Sequence, residues 1–402
     1  MNEMNFTQAA TLLNAVVKQA TGQTAQTTIA TPGDLVSVAQ TALKTGYDPI
    51  FNAISQIWSN TVFATRDYRS KFNELEMSLA RYGNAIRKLS PVAMGMEDDQ
   101  RYKHPVAYDS TQSGNVLGIG LSVDMYKINK QETLQTNFYG TAVYGQSYTI
   151  FKDQLDAAFS DAEEFMRFNA MHMAERKNDL ESYKEGTART LQANLIGAII
   201  DEAQAPRVVK LLTEYNTATG LSLDHQTVMQ PENYPSFIRW MYARINTLAK
   251  LMSERSNVFQ TVINSKPILR HTNVENMRVA LATSFYEQIK AMAQSVTFNQ
   301  GNLVLPQFAE VNYWQSIDKP LSIDITPVYT DTNGAVKKGE QTTNEFVVGV
   351  IHDRDALGYA MVNQWAARTP MNTKGGYWNE DYHATVKTIM DMTEKAVVLL
   401  LE

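Results

Sequence analysis

The sequence predicts an α+β fold, in which helical and extended segments are mixed along a chain of 402 residues. Apolar and polar residues alternate over 75–79 and again over 117–125, which is typical of strands with one covered face. Residues 160–163 have the form of a helix-capping box and precede a long apolar stripe at helical spacing. After Pro206, helical patterns alternate with short strand-like runs, so neither type of element dominates.

Composition limits the class of protein. With 44% hydrophobic residues, the chain can bury a substantial core. A net charge of −6 and an isoelectric point near 5.6 argue against a dedicated nucleic-acid binder, so we expect any contact with DNA to be weak. The absence of cysteine fits a reducing cytoplasm, and the chain shows no signal peptide or membrane-spanning run. We therefore expect a soluble cytoplasmic protein without membrane contact.

The first 60 residues predict a partly helical arm. Apolar residues at helical spacing indicate helices over 6–20, 35–43 and 48–60. The stretch 22–33 between the first two helices is rich in Thr, Gln and Ala and contains Pro32, which predicts an irregular connection.

Residues 61–147 predict a long two-stranded excursion. The alternating runs at 75–79 and 117–125 are its predicted strands, and 90–115 between them contains prolines, glycines and an acidic cluster, as in an irregular tip. Such a hairpin is only marginally stable alone, so it must lie on something. The chain also contains 18 methionines and 19 tyrosines, which supply adaptable surface and favour assembly.

A long helix is predicted next, after a shorter helical segment that begins near residue 151. Its apolar stripe continues to Ile199, and Gly186 is the candidate position for a break. Pro206 is expected to stop the helix, because the residue before a proline is disfavoured in helical conformation.

Shorter patterns predict the remaining elements. Asn333-Gly334 indicates a turn between strands, 353–355 a polar turn, and the Gly375-Gly376 pair a backbone position with positive φ. The last two strands are predicted to pair with each other around a turn at 391–395. In chain order the predicted elements are a strand at 208–212, helices at 235–252 and 274–292, and strands at 321–329, 346–351, 382–389 and 396–401.

No catalytic, cofactor-binding or metal site is predicted. The six histidines are scattered, and no pair has the spacing that places two imidazoles on one helix face. A nucleophile elbow is absent, and Gly118-Ile119-Gly120 lacks the third glycine of a phosphate-binding loop. Acidic pairs such as Asp353 and Asp355 fit a polar turn better than acid–base catalysis. We therefore expect a protein that is not an enzyme and binds no cofactor.

Charges of opposite sign mark the stem and the tip of the excursion. The basic residues near its stem, with Tyr82 and Tyr102, could form a nucleic-acid face, but the acidic cluster nearby favours a protein partner. The candidate subunit-contact residues are Arg81, Arg87, Lys88, Glu97, Asp98 and Asp99.

Several segments resemble a known family. They are the spine segment after residue 156 and the segments 82–87 (YGNAIR), 262–267 (VINSKP), 348–358 (VGVIHDRDALG) and 375–379 (GGYWN). Together with the order of elements, they resemble the tailed-bacteriophage major capsid proteins of the Hong Kong 97 fold, and most of all those of the small phi 29-like podoviruses. No single motif is diagnostic; the combination carries the resemblance.

The resemblance implies an architecture with five parts. It has an N-terminal arm, an extended loop, a spine helix with a peripheral domain, an axial domain, and C-terminal strands that return to the peripheral domain. The implied ranges are 1–60, 61–147, 148–210, 211–377 and 378–402, in that order.

The resemblance also implies the function of a structural capsid protein. Its copies would assemble in the host cytoplasm as hexamers and pentamers of an icosahedral shell around phage double-stranded DNA. Implied partners are copies of the chain itself, with scaffolding, portal and head decoration proteins as further candidates. The rival functions are an encapsulin nanocompartment, which usually has a more compact loop, another virion component, and an enzyme with an unrecognised site.

Overall fold

The computed structural model describes residues 70–77, 86–96, 125–126, 128–138, 140–158, 162–203, 206–266, 268–296 and 307–402, together with residues 10, 14, 34 and 38. Two clusters of buried apolar side chains form the core of this part of the chain. A five-stranded sheet lies between the clusters and contributes side chains to both.

The helices and strands of the described ranges alternate along the chain. The helices are α1 (Lys152–Ala158), α2 (Ala162–Glu202), α3 (Leu211–Thr219), α4 (His225–Val228), α5 (Tyr234–Ser253) and α6 (Thr283–Val296). The strands are β1 (Ile86–Pro91), β2 (Thr133–Phe138), β3 (Gly140–Phe151), β4 (Val208–Lys210), β5 (Met277–Ala282), β6 (Gln307–Val311), β7 (Ile323–Ile325), β8 (Val328–Thr330), β9 (Val336–Lys338), β10 (Thr342–Asn344), β11 (Val347–Asp353), β12 (Leu357–Arg368), β13 (Tyr377–Met390) and β14 (Ala396–Leu400).

The five-stranded sheet has the order β4-β14-β11-β5-β6, with parallel pairs at its two edges. Every residue of β11 and β14 is buried, so successive side chains pack on opposite faces. In β14, Val397 and Leu399 join the cluster that includes α5 and α6, whereas Val398 and Leu400 join the cluster that includes α2. Continuous apolar runs therefore mark the strands of this layer.

The second large sheet has the order β12-β13-β3 and is antiparallel throughout. It packs on α2 through β12 and β13. Buried Trp378 and Ala384 belong to the covered face of β13, whereas Trp365 and Val143 on the neighbouring strands are largely exposed. This sheet is therefore covered on one side only, as expected for antiparallel strands.

Helix α2 runs without interruption for 41 residues, so the candidate break at Gly186 is wrong. A Cβ at Gly186 would meet nothing within 4 Å, which means that no close approach requires a glycine there. A helical glycine costs about 1 kcal/mol relative to alanine. Burial of Leu195, Ile196 and Ile199 against the sheet outweighs that cost.

The predicted helix at 274–292 is wrong over its first half. Residues 277–282 form β5, which pairs with β11 in the middle of the five-stranded sheet, and α6 begins only at Thr283. The segment MRVALA is a short apolar run, and periodicity alone does not distinguish a buried strand from a buried helix over such a length.

The predicted pairing of the two last strands is also wrong. β13 lies in the three-stranded sheet and β14 in the five-stranded sheet, and residues 391–395 connect the two. We call residues 391–395 the crossover turn. Its backbone is held on several sides, since Asp391 N–H donates to Ala356 O and Thr261 N–H donates to Met392 O.

The two-stranded excursion is present, but at other residues than those predicted. Residues 73–75 form a 3-10 turn rather than a strand, and Glu76 makes only an isolated bridge to Tyr359. Met125 lies in a turn, and 117–124 fall outside the described residues. The strands that do pair are β1 and β2, in antiparallel register from Ile86↔Phe138 to Pro91↔Thr133.

Other predictions are confirmed. Helix α5 covers the predicted 235–252, and β4 and β11 lie at the strands predicted near 208 and 346. Asn333 and Gly334 lie in the turn that joins β8 to β9, where Gly334 has φ +79°. The predicted arm helices lie outside the described residues, apart from residues 10, 14, 34 and 38, which are helical. No helix within the described ranges is long and apolar enough to cross a membrane.

Candidate functional site: the two-stranded ladder and its charged base

Strands β1 and β2, together called the ladder, carry a segment that extends beyond them. Beyond Pro91 and Thr133 the pairing continues through one further hydrogen bond, in which Val92 N–H donates to Glu132 O. We call the described residues 93–96, 125–126 and 128–130 the tip. Neither apolar cluster of the core includes a described residue of the ladder or the tip.

The tip exposes large apolar side chains. Met96 is fully exposed at 102%, Ile128 at 89%, Met125 at 81% and Tyr126 at 80%, while Met94 is half exposed. Soluble monomers rarely leave so many large apolar side chains together in water. The tip therefore has the composition of a surface that another molecule covers.

The base of the ladder is held by a buried group of charges. Lys88 Nζ donates to Asp391 Oδ2 at 2.7 Å and to Glu394 Oε1 at 2.5 Å. The Arg270 guanidinium lies 3.2 Å from the same Glu394 oxygen and donates to Ser90 Oγ at 2.7 Å. We call Lys88, Arg270, Asp391 and Glu394 the socket. It joins the ladder to the crossover turn and to the segment 268–272.

A further ion pair lies beside strand β2 of the ladder. Lys266 Nζ donates to Glu132 Oε2 at 2.5 Å, and both side chains are about half exposed. An exposed pair of this kind contributes little to stability, because water screens the attraction between its charges. It nevertheless adds a contact point near the start of the tip.

Burial and attraction act differently on the two ends of the socket. Burial disfavours the Lys88 ammonium, but attraction to Asp391 and Glu394 outweighs burial and raises the pKa of Lys88. Burial is the largest effect on Glu394 and raises the pKa of its carboxyl, although Lys88 and Arg270 oppose this. The balance differs because Glu394 lies beside Asp391, whose negative charge adds to the effect of burial on the pKa of Glu394.

The chain that leads into the ladder is tied to α2 by a second polar group. Ser70 N–H donates to Glu181 Oε2 at 2.9 Å, and Lys184 Nζ contacts Glu76 at 3.1 Å and Glu181 at 3.3 Å. Lys184 and Glu181 are almost fully buried. These contacts hold residues 70–76 on the spine helix.

The structure describes two of the six candidate contact residues, Arg87 and Lys88. Arg81, Glu97, Asp98 and Asp99 lie outside the described residues. Arg87 is exposed on β1, and its contact with another subunit stays a prediction. The argument for Lys88 needs correction, because Lys88 has its opposite charges within its own chain, at Asp391 and Glu394.

Sequence reasoning missed the acidic half of the socket. Asp391 and Glu394 lie 303 and 306 positions from Lys88, so no local spacing relates them. The only sequence signal for these two residues was the high density of charged residues in the crossover turn, which lies between two predicted strands. Within the described ranges no group of three or more His, Asp and Glu side chains is arranged to hold a metal ion.

Comparison with known protein families gives one match that covers most of the chain. The family model described as Phi29-like phage major capsid protein matches residues 13–400. No curated protein sequence matches the chain significantly. Among solved structures, a chain in the capsid structure of Staphylococcus phage Andhra aligns with a TM-score of 0.51 at 11% identity, over 85% of this chain and 86% of that one.

A second structure aligns equally well. It is a chain in the structure of the head fiber and inner core protein gp22 of native bacteriophage P68, with a TM-score of 0.51 at 10% identity. The alignment covers 85% of this chain and 87% of that one. At such low identity these two structures show a shared fold, and the expected Hong Kong 97-type mixture of helix and sheet is confirmed.

Proposed function

The chain belongs to the Phi29-like phage major capsid protein family, and from this premise we propose that its copies form the hexamers and pentamers of an icosahedral shell around phage double-stranded DNA. As a major capsid protein of a tailed phage it is a structural component of the virion. The family is one of shell proteins, so the encapsulin alternative is not favoured. The shell function accounts for the whole chain without an enzymatic activity or a cofactor.

The exposed tip is the observation that carries this proposal. Met96 and Ile128 are exposed at 102% and 89%, and neither belongs to an apolar cluster of the described part of the chain. In a ring of identical subunits the tip of each copy can lie on the next, which is a heterologous contact. Such contacts accumulate as the ring closes, so apolar burial at the tip drives assembly.

A second copy of the chain fits the tip better than DNA does. The net charge of −6 gives the shell no general attraction for phosphates, so contact with packaged DNA is weak and non-specific. Scaffolding, portal and head decoration proteins are further partners that a shell of this family would meet. They are expected to contact surfaces other than the tip contact between shell subunits.

The two sheets suggest how the domains are divided. We assign α2 and the three-stranded sheet to the peripheral domain, and the five-stranded sheet with α3, α5 and α6 to the axial domain. In this assignment β12 and β13 are peripheral, whereas β14 is axial. This proposed assignment differs from the predicted ranges for β12, which fell in the axial range, and for β4 and β14, which fell in the peripheral ranges.

Excision of the tip tests the proposed function. Residues 94–130 are removed, and Ala93 is joined to Gln131 by a short Gly/Ser turn. Because β1, β2, the socket and the bond between Val92 and Glu132 remain, the subunit should still fold. We expect a cooperative thermal melt by circular dichroism, together with loss of closed particles in sedimentation and electron microscopy.

A matched excision controls for general disturbance. Replacement of the β8–β9 turn, residues 331–335, with a Gly/Ser turn alters another exposed hairpin and should leave shells intact. Closed shells from the tip-excised chain would show that the tip is not an assembly element. Loss of its cooperative melt would show that the tip belongs to the core, which also contradicts the proposal.

A further inference from the structure

The ladder is attached to its own subunit through polar groups placed in a row. Lys88 and Ser90 on β1 and Glu132 beside β2 each contact the body of the subunit, at distances between 2.5 and 2.7 Å. Neither apolar cluster extends into the described ladder. Because hydrogen bonds and ion pairs depend on angle as well as distance, a row of them defines a direction.

The socket is better explained as a group that fixes the direction of the ladder than as a source of stability. Burial of a charge costs free energy, and replacement of a whole buried ion pair by well-packed apolar residues of similar volume is often neutral for stability. Glu394 illustrates this, since burial raises the pKa of its carboxyl and its negative charge is disfavoured in the folded chain. The carboxylate nevertheless contacts Lys88 on the ladder and Arg270 on the body at once.

The two acidic residues of the socket differ in their other hydrogen bonds. Asp391 Oδ1 accepts hydrogen bonds from Thr393 N–H and Thr393 Oγ1, so Asp391 shapes the crossover turn as well as binding Lys88. The side chain of Glu394 reaches across to Lys88 and Arg270 instead. Glu394 is therefore the residue through which the ladder can be released with the least damage to the turn.

We propose that the socket sets the direction in which the tip leaves its own subunit, and thereby the curvature of the shell. This inference rests on the proposed function of the tip as a contact between subunits. Lys88 lies only a few residues before the tip, so a small rotation at the socket displaces the tip on its neighbour. The angle between neighbouring subunits changes with it, and particle diameter follows from that angle.

The test uses E394Q, which removes one charge of the socket at nearly constant shape, and K88M, which removes the central cation. E287Q is the matched control, because Glu287 forms an exposed ion pair with Lys290 on α6. The chain contains no cysteine, so the exposed pair T133C and K250C can be spin-labelled specifically in each full-length variant. The distance between these labels reports the direction of the ladder relative to α5.

We expect a narrow distribution of the distance between the two labels in the parent and in E287Q. In E394Q and K88M the distribution should be at least about twofold broader, while the melt remains cooperative. Assembled particles of both variants should shift in mean diameter or spread over several sizes in electron microscopy. The double variant should show less than the sum of the two single effects, because both substitutions remove the contact between Lys88 and Glu394.

Parent-like distances or parent-like diameters in E394Q would overturn the inference. Additive effects in the double variant would also do so, since they would make the two charges independent. If K88M fails to fold, E394Q alone decides. If E394Q forms normal particles while the tip-excised chain fails to assemble, the inference is wrong but the proposed function stands. If the tip-excised chain forms normal shells, the proposed function itself is wrong.

Discussion

Replacing two apolar residues of the tip with polar ones should weaken assembly without weakening the subunit. Met96 and Ile128 are exposed at 102% and 89%, so almost their whole side chains are available for burial on a neighbour. Full burial of such a side chain contributes about 1.5–3 kcal/mol. After the cost of ordering the side chains, of the order of 1 kcal/mol each, the double variant M96N/I128N should lose roughly 1–4 kcal/mol per contact.

This loss translates into a measurable concentration shift. Since 1.4 kcal/mol corresponds to a factor of ten, each contact should weaken roughly 5- to 1000-fold. The threshold concentration for shell formation, followed by light scattering and sedimentation, should rise at least about fivefold. The subunit should melt as the parent does, because neither side chain belongs to the core.

The control for this experiment also replaces exposed apolar residues. Ile317 and Val336 are exposed at 73% and 78% and lie away from the ladder, so I317N/V336N removes similar apolar surface elsewhere. It should leave the threshold unchanged. An equal threshold for M96N/I128N and the parent would refute the reasoning that apolar burial at the tip drives assembly.

Three further predictions concern the stability of the subunit, measured by thermal melts. Burial lowers the pKa of His352, so the folded state favours the neutral ring; stability should fall as pH drops below about 6.5, and H352Q should flatten this dependence. Gly376 has φ +60°, so G376A should lower the free energy of unfolding by about 1–2 kcal/mol. Gly375 has no positive φ, so G375A should cost less, because only the Tyr377 ring must move. Trp314 is 1% exposed and its Nε1 donates to Val347 O at 3.0 Å, so W314A should cost about 3–5 kcal/mol, and a cost below 1 kcal/mol would contradict its place in the core.

The elements that could be predicted from the sequence are those with a signal in their own residues. Helix α5 combines an apolar stripe with Pro235 in its first turn, and both features can be recognised within 20 residues. The turn at Gly334 and the positive φ at Gly376 follow from the special conformational freedom of glycine. In these cases the physical cause of the structure lies within the segment itself.

Strand partners and the socket depend on contacts that no segment contains. β5 is a strand because β11 and β6 lie on either side of it, and its own six residues would suit a helix as well. Lys88 was assigned to another molecule together with the other basic residues of the stem, because nothing in the sequence shows that residues 391–394 fold onto it. Its partners Asp391 and Glu394 come close only when the crossover turn passes between the two sheets.

The crossover turn explains why a movement of the ladder would affect the whole subunit. Lys395 is fully buried, and its Nζ donates to Glu254 O at 2.5 Å, at the end of α5. Asp353 N–H donates to Lys395 O, which ties the turn to the end of β11. Strand β13 enters the turn from one sheet and β14 leaves it into the other. The crossover turn therefore connects both sheets and α5, and the socket joins this short segment to the ladder.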